Sequence, residues 1–187
     1  MGSKLRVVAV GFLAAFTSIG MGMFAPAANA APGDTGATFT LTGGTLSITV
    51  PSSTANLGSV ATGTATTGST LGSTSVSDQR GALVASWTVS VTSTDFTTGA
   101  ASANETVPKA NVAYSSGLST SSTGTGVFTP GVIPSLSASN VLPGAAWAGV
   151  SNNSAAWNPT VTVTLNNTNG TAAVAGTYSG TIHQSVA

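Results

Sequence analysis

Ser75-Val76-Ser77-Asp78-Gln79-Arg80-Gly81-Ala82 and, two residues on, Ala85-Ser86-Trp87-Thr88-Val89-Ser90-Val91 decide the fold class of this chain. Apolar side chains alternate with Ser or Thr on both sides of a polar turn. A period of two sends successive side chains to opposite faces of an extended strand. The pair therefore reads as two strands around the turn Asp78-Gln79-Arg80-Gly81, whose residues suit such a bend. The same alternation recurs in Leu46, Ile48 and Val50 and in Val161, Val163 and Leu165. Thr favours this geometry because branching at Cβ restricts χ1 and suits the pleat. Beyond the first thirty residues no stretch shows a 3.6-residue apolar stripe. The expected class is all-β, an antiparallel β-sandwich.

Composition narrows the chemistry. Only 4% of the 187 residues are charged, against a usual share of roughly 25%. Thr, Ser and Gly number 31, 26 and 23. These values exclude a basic nucleic-acid binder, a coiled coil and a charged disordered tail. Cys is absent, so there is no disulfide framework, thiolate metal site or Cys nucleophile, and His183 is the only imidazole.

The N-terminus reads as an export signal. Lys4 and Arg6 precede the apolar run Val7 to Phe24, and Ala28-Asn29-Ala30 supplies a small-x-small cleavage pattern. The run's eighteen residues are short for a membrane span, which needs about 20, and Gly and hydroxyl residues dilute it. The expected organisation is a signal peptide over 1–30, a short mature segment over 31–37 and one sandwich domain over 38–187, with no membrane span after cleavage. The mature chain would carry Arg80 and Lys109 against Asp34, Asp78, Asp95 and Glu105, a net charge of −2, which gives little steering of an anionic partner.

Strands are expected near Thr38 to Thr42, Thr45 to Val50, Ser69 to Ser77, Leu83 to Thr92, Asn111 to Ser115, Trp147 to Ser151, Thr160 to Asn166 and Thr177 to Val186. Gly43-Gly44 reads as a tight hairpin between the first two. Asn166 to Gly170 reads as a turn. Ser115 to Thr125, almost all Ser, Thr and Gly, reads as a flexible excursion, and Thr62 to Thr70 lies between edge strand and loop.

Catalytic chemistry finds few residues to use. His183 alternates with Ile182 in a terminal strand, as a half-exposed sheet residue does, and no Gly-x-Ser-x-Gly elbow nominates a nucleophile. Glycoside hydrolysis needs two carboxylates across one bond, but Asp78 and Asp95 sit where turns and caps use Asp. No Asp-x-Asp-x-Asp loop offers hard oxygen ligands. The expectation is a non-enzyme with no cofactor and no metal.

The two strands around Asp78-Gln79-Arg80-Gly81, with Trp87-Thr88-Val89 on the second, resemble the first half of the WxL domain of Gram-positive surface proteins. In that module an Asp-x-Arg-Gly turn precedes a Trp-x-Leu strand; Val89 stands here for Leu. Val161 to Leu165 and Ala175-Gly176-Thr177-Tyr178-Ser179-Gly180-Thr181-Ile182 are similar to its closing hairpin, and His183-Gln184-Ser185 replaces its second Trp motif. The resemblance spans roughly 38–187 and rests on a few short motifs. It implies a secreted, cell-wall-associated protein held non-covalently by peptidoglycan or by other surface proteins, with Asp78, Arg80, Gly81, Trp87, Val89 and Tyr178 as mainly structural motif positions. The alternative is an assembly subunit of an extracellular structure that pairs through exposed strand edges. Trp147 and Trp157 bracket a Gly, Ser and Asn loop, so they are the expected ligand-facing aromatics, while Trp87 is expected in the core and Arg80 on Asp78 or on the Trp87 ring.

Cleavage after Ala30 makes a mass prediction. The exported protein should weigh what residues 31–187 weigh, and an intact mass that includes 1–30 would refute processing at this site.

Overall fold

The fold was analysed in a computed structural model, which describes residues 36–137, 142–166 and 173–187. The chain divides into two units, Met1–Phe39 and Thr40–Ala187, and the elements below belong to the second. The strands are β1 (Leu46–Thr49), β2 (Thr66–Thr70), β3 (Thr74–Asp78), β4 (Trp87–Ser93), β5 (Phe96–Thr97), β6 (Thr106–Val107), β7 (Val112–Ser115), β8 (Ser119–Pro130), β9 (Val132–Ile133), β10 (Ala145–Trp157), β11 (Thr160–Thr164) and β12 (Ile182–Val186). Two single-turn 3₁₀ helices, Ala103–Glu105 and Lys109–Asn111, complete the set. The expected class holds: the unit is all-β, with antiparallel pairing throughout.

The first sheet is built on β10. One edge of β10 carries β8 from Ala145↔Pro130 to Trp157↔Ser119. Its other edge is shared: Asn153 to Trp157 pair with β3, and Ala145 to Trp147 pair with β4. β3 and β4 thus lie end to end in one row, interrupted by residues 79–86. The next row repeats the arrangement, with β1 on β3 and β12 on β4. The rows run β8, β10, β3 with β4, then β1 with β12. The second sheet has the order β2-β11-β7-β9.

The chain crosses between sheets twice at one corner. It leaves β2 for β3 through Leu71, and leaves β10 for β11 through Pro159; the Leu71 N–H donates to the Pro159 carbonyl at 2.8 Å. This bend splits the single strand expected over Ser69 to Ser77. The sandwich interior is supplied by alternate residues of both layers: Val76, Val89, Val91 and Ala155 from the first, Val112, Tyr114, Val161 and Val163 from the second.

Three indoles fill the middle. Trp87 stacks on Trp147 at 6.3 Å between centroids and 12° between planes, and on Trp157 at 6.2 Å and 20°. Phe128 of β8 tilts against Trp87 and Trp157. The Trp157 Nε1–H donates to the Tyr114 hydroxyl at 3.1 Å, which in turn reaches Gln184 Oε1 at 3.3 Å, so β10, β7 and β12 are tied across the core. Burial pushes the Tyr114 hydroxyl up to about 12, so it stays a donor at any physiological pH.

Two expectations change here. Ser115 to Thr125 is no loose excursion; most of it belongs to β8. Its β-branched and hydroxyl residues pair with β10, and Thr123 Oγ1 meets Ser154 Oγ at 2.7 Å. Gly43-Gly44 is no hairpin, and Thr38 to Thr42 forms no strand. The Gly44 N–H donates to the Gln79 carbonyl at 2.7 Å, and a Cβ on Gly43 would collide with the Arg80 carbonyl. The glycine pair instead lets the chain run tightly along the end of β3. Thr62 to Thr70 resolves into an edge strand over its second half, β2. The expected turn over Asn166 to Gly170 lies outside the described residues beyond Asn166.

Truncating the central indole partner tests this core. Trp157→Ala should cost about 3–5 kcal/mol of unfolding free energy through cavity formation and through loss of the Tyr114 tie, measured by denaturant titration; a loss under 1 kcal/mol would mean that the stack is not central to stability.

Candidate functional site

The motif turn is a clasp. Asp78 ends β3 with its side chain fully buried, and Arg80 grips it with two parallel bonds, Nε to Oδ1 at 2.9 Å and Nη2 to Oδ2 at 2.7 Å. The Arg80 backbone N–H adds a third bond to Oδ1 at 3.0 Å, and Nη2 also reaches the Ser86 carbonyl at 2.9 Å. Gly81 then turns the chain at φ 62°, a left-handed conformation that side chains other than Gly adopt at a cost. Of the two roles expected for Arg80, pairing with Asp78 is the one the structure shows. The Arg80 guanidinium holds the Asp78 carboxyl below its usual range against the opposing effect of burial, helped by the Arg80 amide and by Asn153.

Asn153 links the clasp to the indoles. β10 bulges between Val150 and Ser154, placing three residues, 151 to 153, against Gly124 of β8. The two extra residues preserve parity, so Trp147 and Trp157 both still face inward. Ser151 takes φ 58° and Gly124 φ 98°, and a Cβ on Gly124 would strike Asn153. The bulge turns Asn153 into the core, where Oδ1 accepts the Trp87 Nε1–H at 2.8 Å and Nδ2 donates to the Ala85 and Ser151 carbonyls. Residues 82–85 are pinned to the same bulge by Ala85 N–H to the Gly149 carbonyl and Ser151 N–H to the Ala82 carbonyl. Asp78, Arg80, Gly81, Trp87 and Val89 are therefore brought together, as structure.

Trp147 and Trp157 are not ligand-facing. They are 3% and 0% exposed, because the supposed loop between them is the bulge of one continuous strand. The Trp147 indole lies over Gly126 and Gly149, where a Cβ would overlap it, and its buried Nε1 has no hydrogen-bond partner among the described residues. His183 stands exposed on β12 opposite Thr92, in the outermost row. Among the described residues no three His, Cys, Asp or Glu side chains gather into a metal site, and no helix is long and apolar enough to cross a membrane.

Tyr178 leads to a feature the sequence did not disclose. It is half-buried at a cleft of about 700 Å³ formed by residues 54–64, by 173–180 and by the flank of β11. Buried Phe96, Val107 and Val163 make its floor, while exposed Thr54, Thr62 and Thr64 stand at the rim. Among the described residues no Asp, Glu, Lys, Arg or His lines it. The volume suits a small ligand, and the lining offers hydroxyls, backbone amides and one phenol ring to a neutral one. Its walls come from stretches more than 100 residues apart in sequence, which no local motif announces.

Comparison with protein-family models, with curated proteins and with solved structures finds no match to this chain.

The clasp sets an acid limit. Because the folded carboxyl of Asp78 titrates below its ordinary value of about 3.8, its contribution is complete above that value and is lost as pH falls through the folded one. Stability should be level from pH 7 to about 5 and drop below about 4. Asp78→Asn should be less stable at neutral pH and show a shallower acid decline, the remainder reflecting Glu105, which the Ser102 hydroxyl also holds below its usual range. Denaturation midpoints measured against pH check this, and equal acid slopes for both proteins would contradict it.

Proposed function

We propose that this chain is an exported, non-catalytic module of the bacterial cell surface that binds the Gram-positive cell wall non-covalently, through peptidoglycan or through proteins bound there. The charge-free cleft beside Tyr178 is the observation that carries the reading. A neutral sugar presents hydroxyls and apolar ring faces, and the cleft offers Thr hydroxyls, an aromatic ring and an apolar floor. The WxL-like turn and strand support the same compartment, as does the leader over residues 1–30. Since the motif residues are consumed by the clasp and the core, recognition on this reading falls to the cleft and not to Trp147 or Trp157.

A second reading is favoured by a separate observation. β8 is a row of twelve residues at the border of its sheet, exposed along most of its length and without a single charge, the kind of edge that natural sheets usually guard. That edge suits an assembly subunit of a surface structure.

Wall binding has a direct test. Purified protein mixed with Gram-positive wall sacculi should sediment with them, and Tyr178→Ala, with its fold verified by circular dichroism, should lower the bound fraction at least several-fold. Full recovery in the supernatant would end the wall reading; undiminished binding by Tyr178→Ala would end the role of the cleft.

A further inference from the structure

Two unpartnered halves of a β-pairing occur on this one chain. The first is Thr38-Phe39-Thr40-Leu41-Thr42, five uncharged residues with strict alternation and strong strand formers. It makes no strand, and Phe39 and Leu41 are 92% and 85% exposed. In an extended strand both would lie on one face, leaving an apolar stripe with no partner in this chain's described residues. The second half is the outer edge of β8, which pairs with no other strand among the described residues. Phe128, its inward aromatic, touches Trp87 and Trp157 and yet is only half-buried, because the sheet ends there.

The halves match. In an extended strand Phe39 and Leu41 share one face, two residues apart. On β8 the inward positions two residues apart are Gly126 and Phe128, opposite Gly149 and Trp147 of β10. An added strand beside Thr125 to Pro130 would lay its two apolar side chains next to Phe128 and the indole that covers Gly126, extending the buried layer by one row. Neither side carries a charge, so pairing needs no ion to be desolvated. Five residues cover about 17 Å of edge, well within the length of β8.

We infer that Thr38–Thr42 of one copy adds as a strand to the β8 edge of a second copy of this chain. The inference rests on the assembly reading and names its donor and acceptor. Donor and acceptor are different surfaces, so the contact is heterologous and propagates from copy to copy instead of closing as a symmetric pair. In a chain processed after Ala30 only seven residues precede Thr38, which leaves the donor on a short arm.

The test uses exported protein and two variants at exposed positions. One, Phe39→Ser/Leu41→Ser, disables the arm; the other, Thr125→Lys/Val127→Lys, places charges on the solvent face of the edge, a guard that sheet borders commonly use. Light scattering should show wild-type mass rising with concentration, and each variant alone should remain a single chain. An equimolar mixture of the two should form a species of twice the single-chain mass, since one intact arm and one intact edge remain. Wild-type assembly that persists in the arm variant would overturn the arm while leaving the assembly reading in place. A mixture that stays monomeric would also overturn it. A wild type that remains monomeric at every concentration, with no strand-edge partner recovered from cells, would overturn both.

Discussion

A single hydrogen bond organises the centre of this fold: the Trp87 Nε1–H donating to Asn153 Oδ1. A sandwich with so few ionisable side chains must be held by apolar burial, and three indoles provide much of it. An indole N–H taken from water without an acceptor is costly. Asn153, on the inward face of β10 at its bulge, supplies that acceptor to Trp87. The bulge in turn admits residues 82–85, and the excursion at 79–86 is what divides the second row into β3 and β4. Removing the bond would therefore disturb the bulge, the row and the stack together, which is why these features sit within a few residues of one another.

The Asp78–Arg80 pair follows from the same constraint. A row that must stop and restart needs a turn held at both ends. Arg80 reaches Asp78 on one side and the Ser86 carbonyl on the other, spanning the excursion with one side chain. Breaking such a pair leaves a buried charge without compensation, so the clasp enforces the turn more than it adds net stability. The Arg80 side chain is 37% exposed, and that partial hydration keeps the cost of burying the pair low. Among the described residues the Asp78–Arg80 pair fixes this turn, and no charged side chain lines the cleft.

The period-two runs made the sheet class and most strands legible, because the inward and outward faces of Val161 to Leu165 or Trp87 to Val91 differ so plainly in polarity. The motif turn was legible too, since Asp, Arg and Gly at that spacing have few other uses together. What escaped was governed by partners distant in sequence. Ser119 to Pro130 has no apolar alternation of its own and becomes a strand because β10 offers it a ladder of ten residue pairs. Trp147 and Trp157 were misplaced because Gly149 to Ser154 has the composition of a loop while serving as a bulge, and two extra residues leave both indoles pointing inward. The cleft has no local signature: Phe96, Val107 and Val163 look like ordinary core residues, and only tertiary structure sets them beneath residues 54–64 and 173–180.

The two least-guarded surfaces differ in what they can accept. The cleft is concave, walled by irregular backbone and floored by side chains from several elements, so on the proposed reading a neutral ligand there would be selected by shape. The β8 edge presents a regular row of backbone groups, and recognition there is carried by main-chain pairing with side-chain alternation as the only filter. An uncharged edge filters weakly among extended chains. Selectivity at β8 must then come from the burial of specific apolar side chains beside Phe128, a condition that an alternating aromatic and aliphatic strand meets and a purely Ser and Thr strand does not. On the proposed readings the two surfaces therefore suit different classes of partner, the cleft a small neutral ligand and the β8 edge an extended strand.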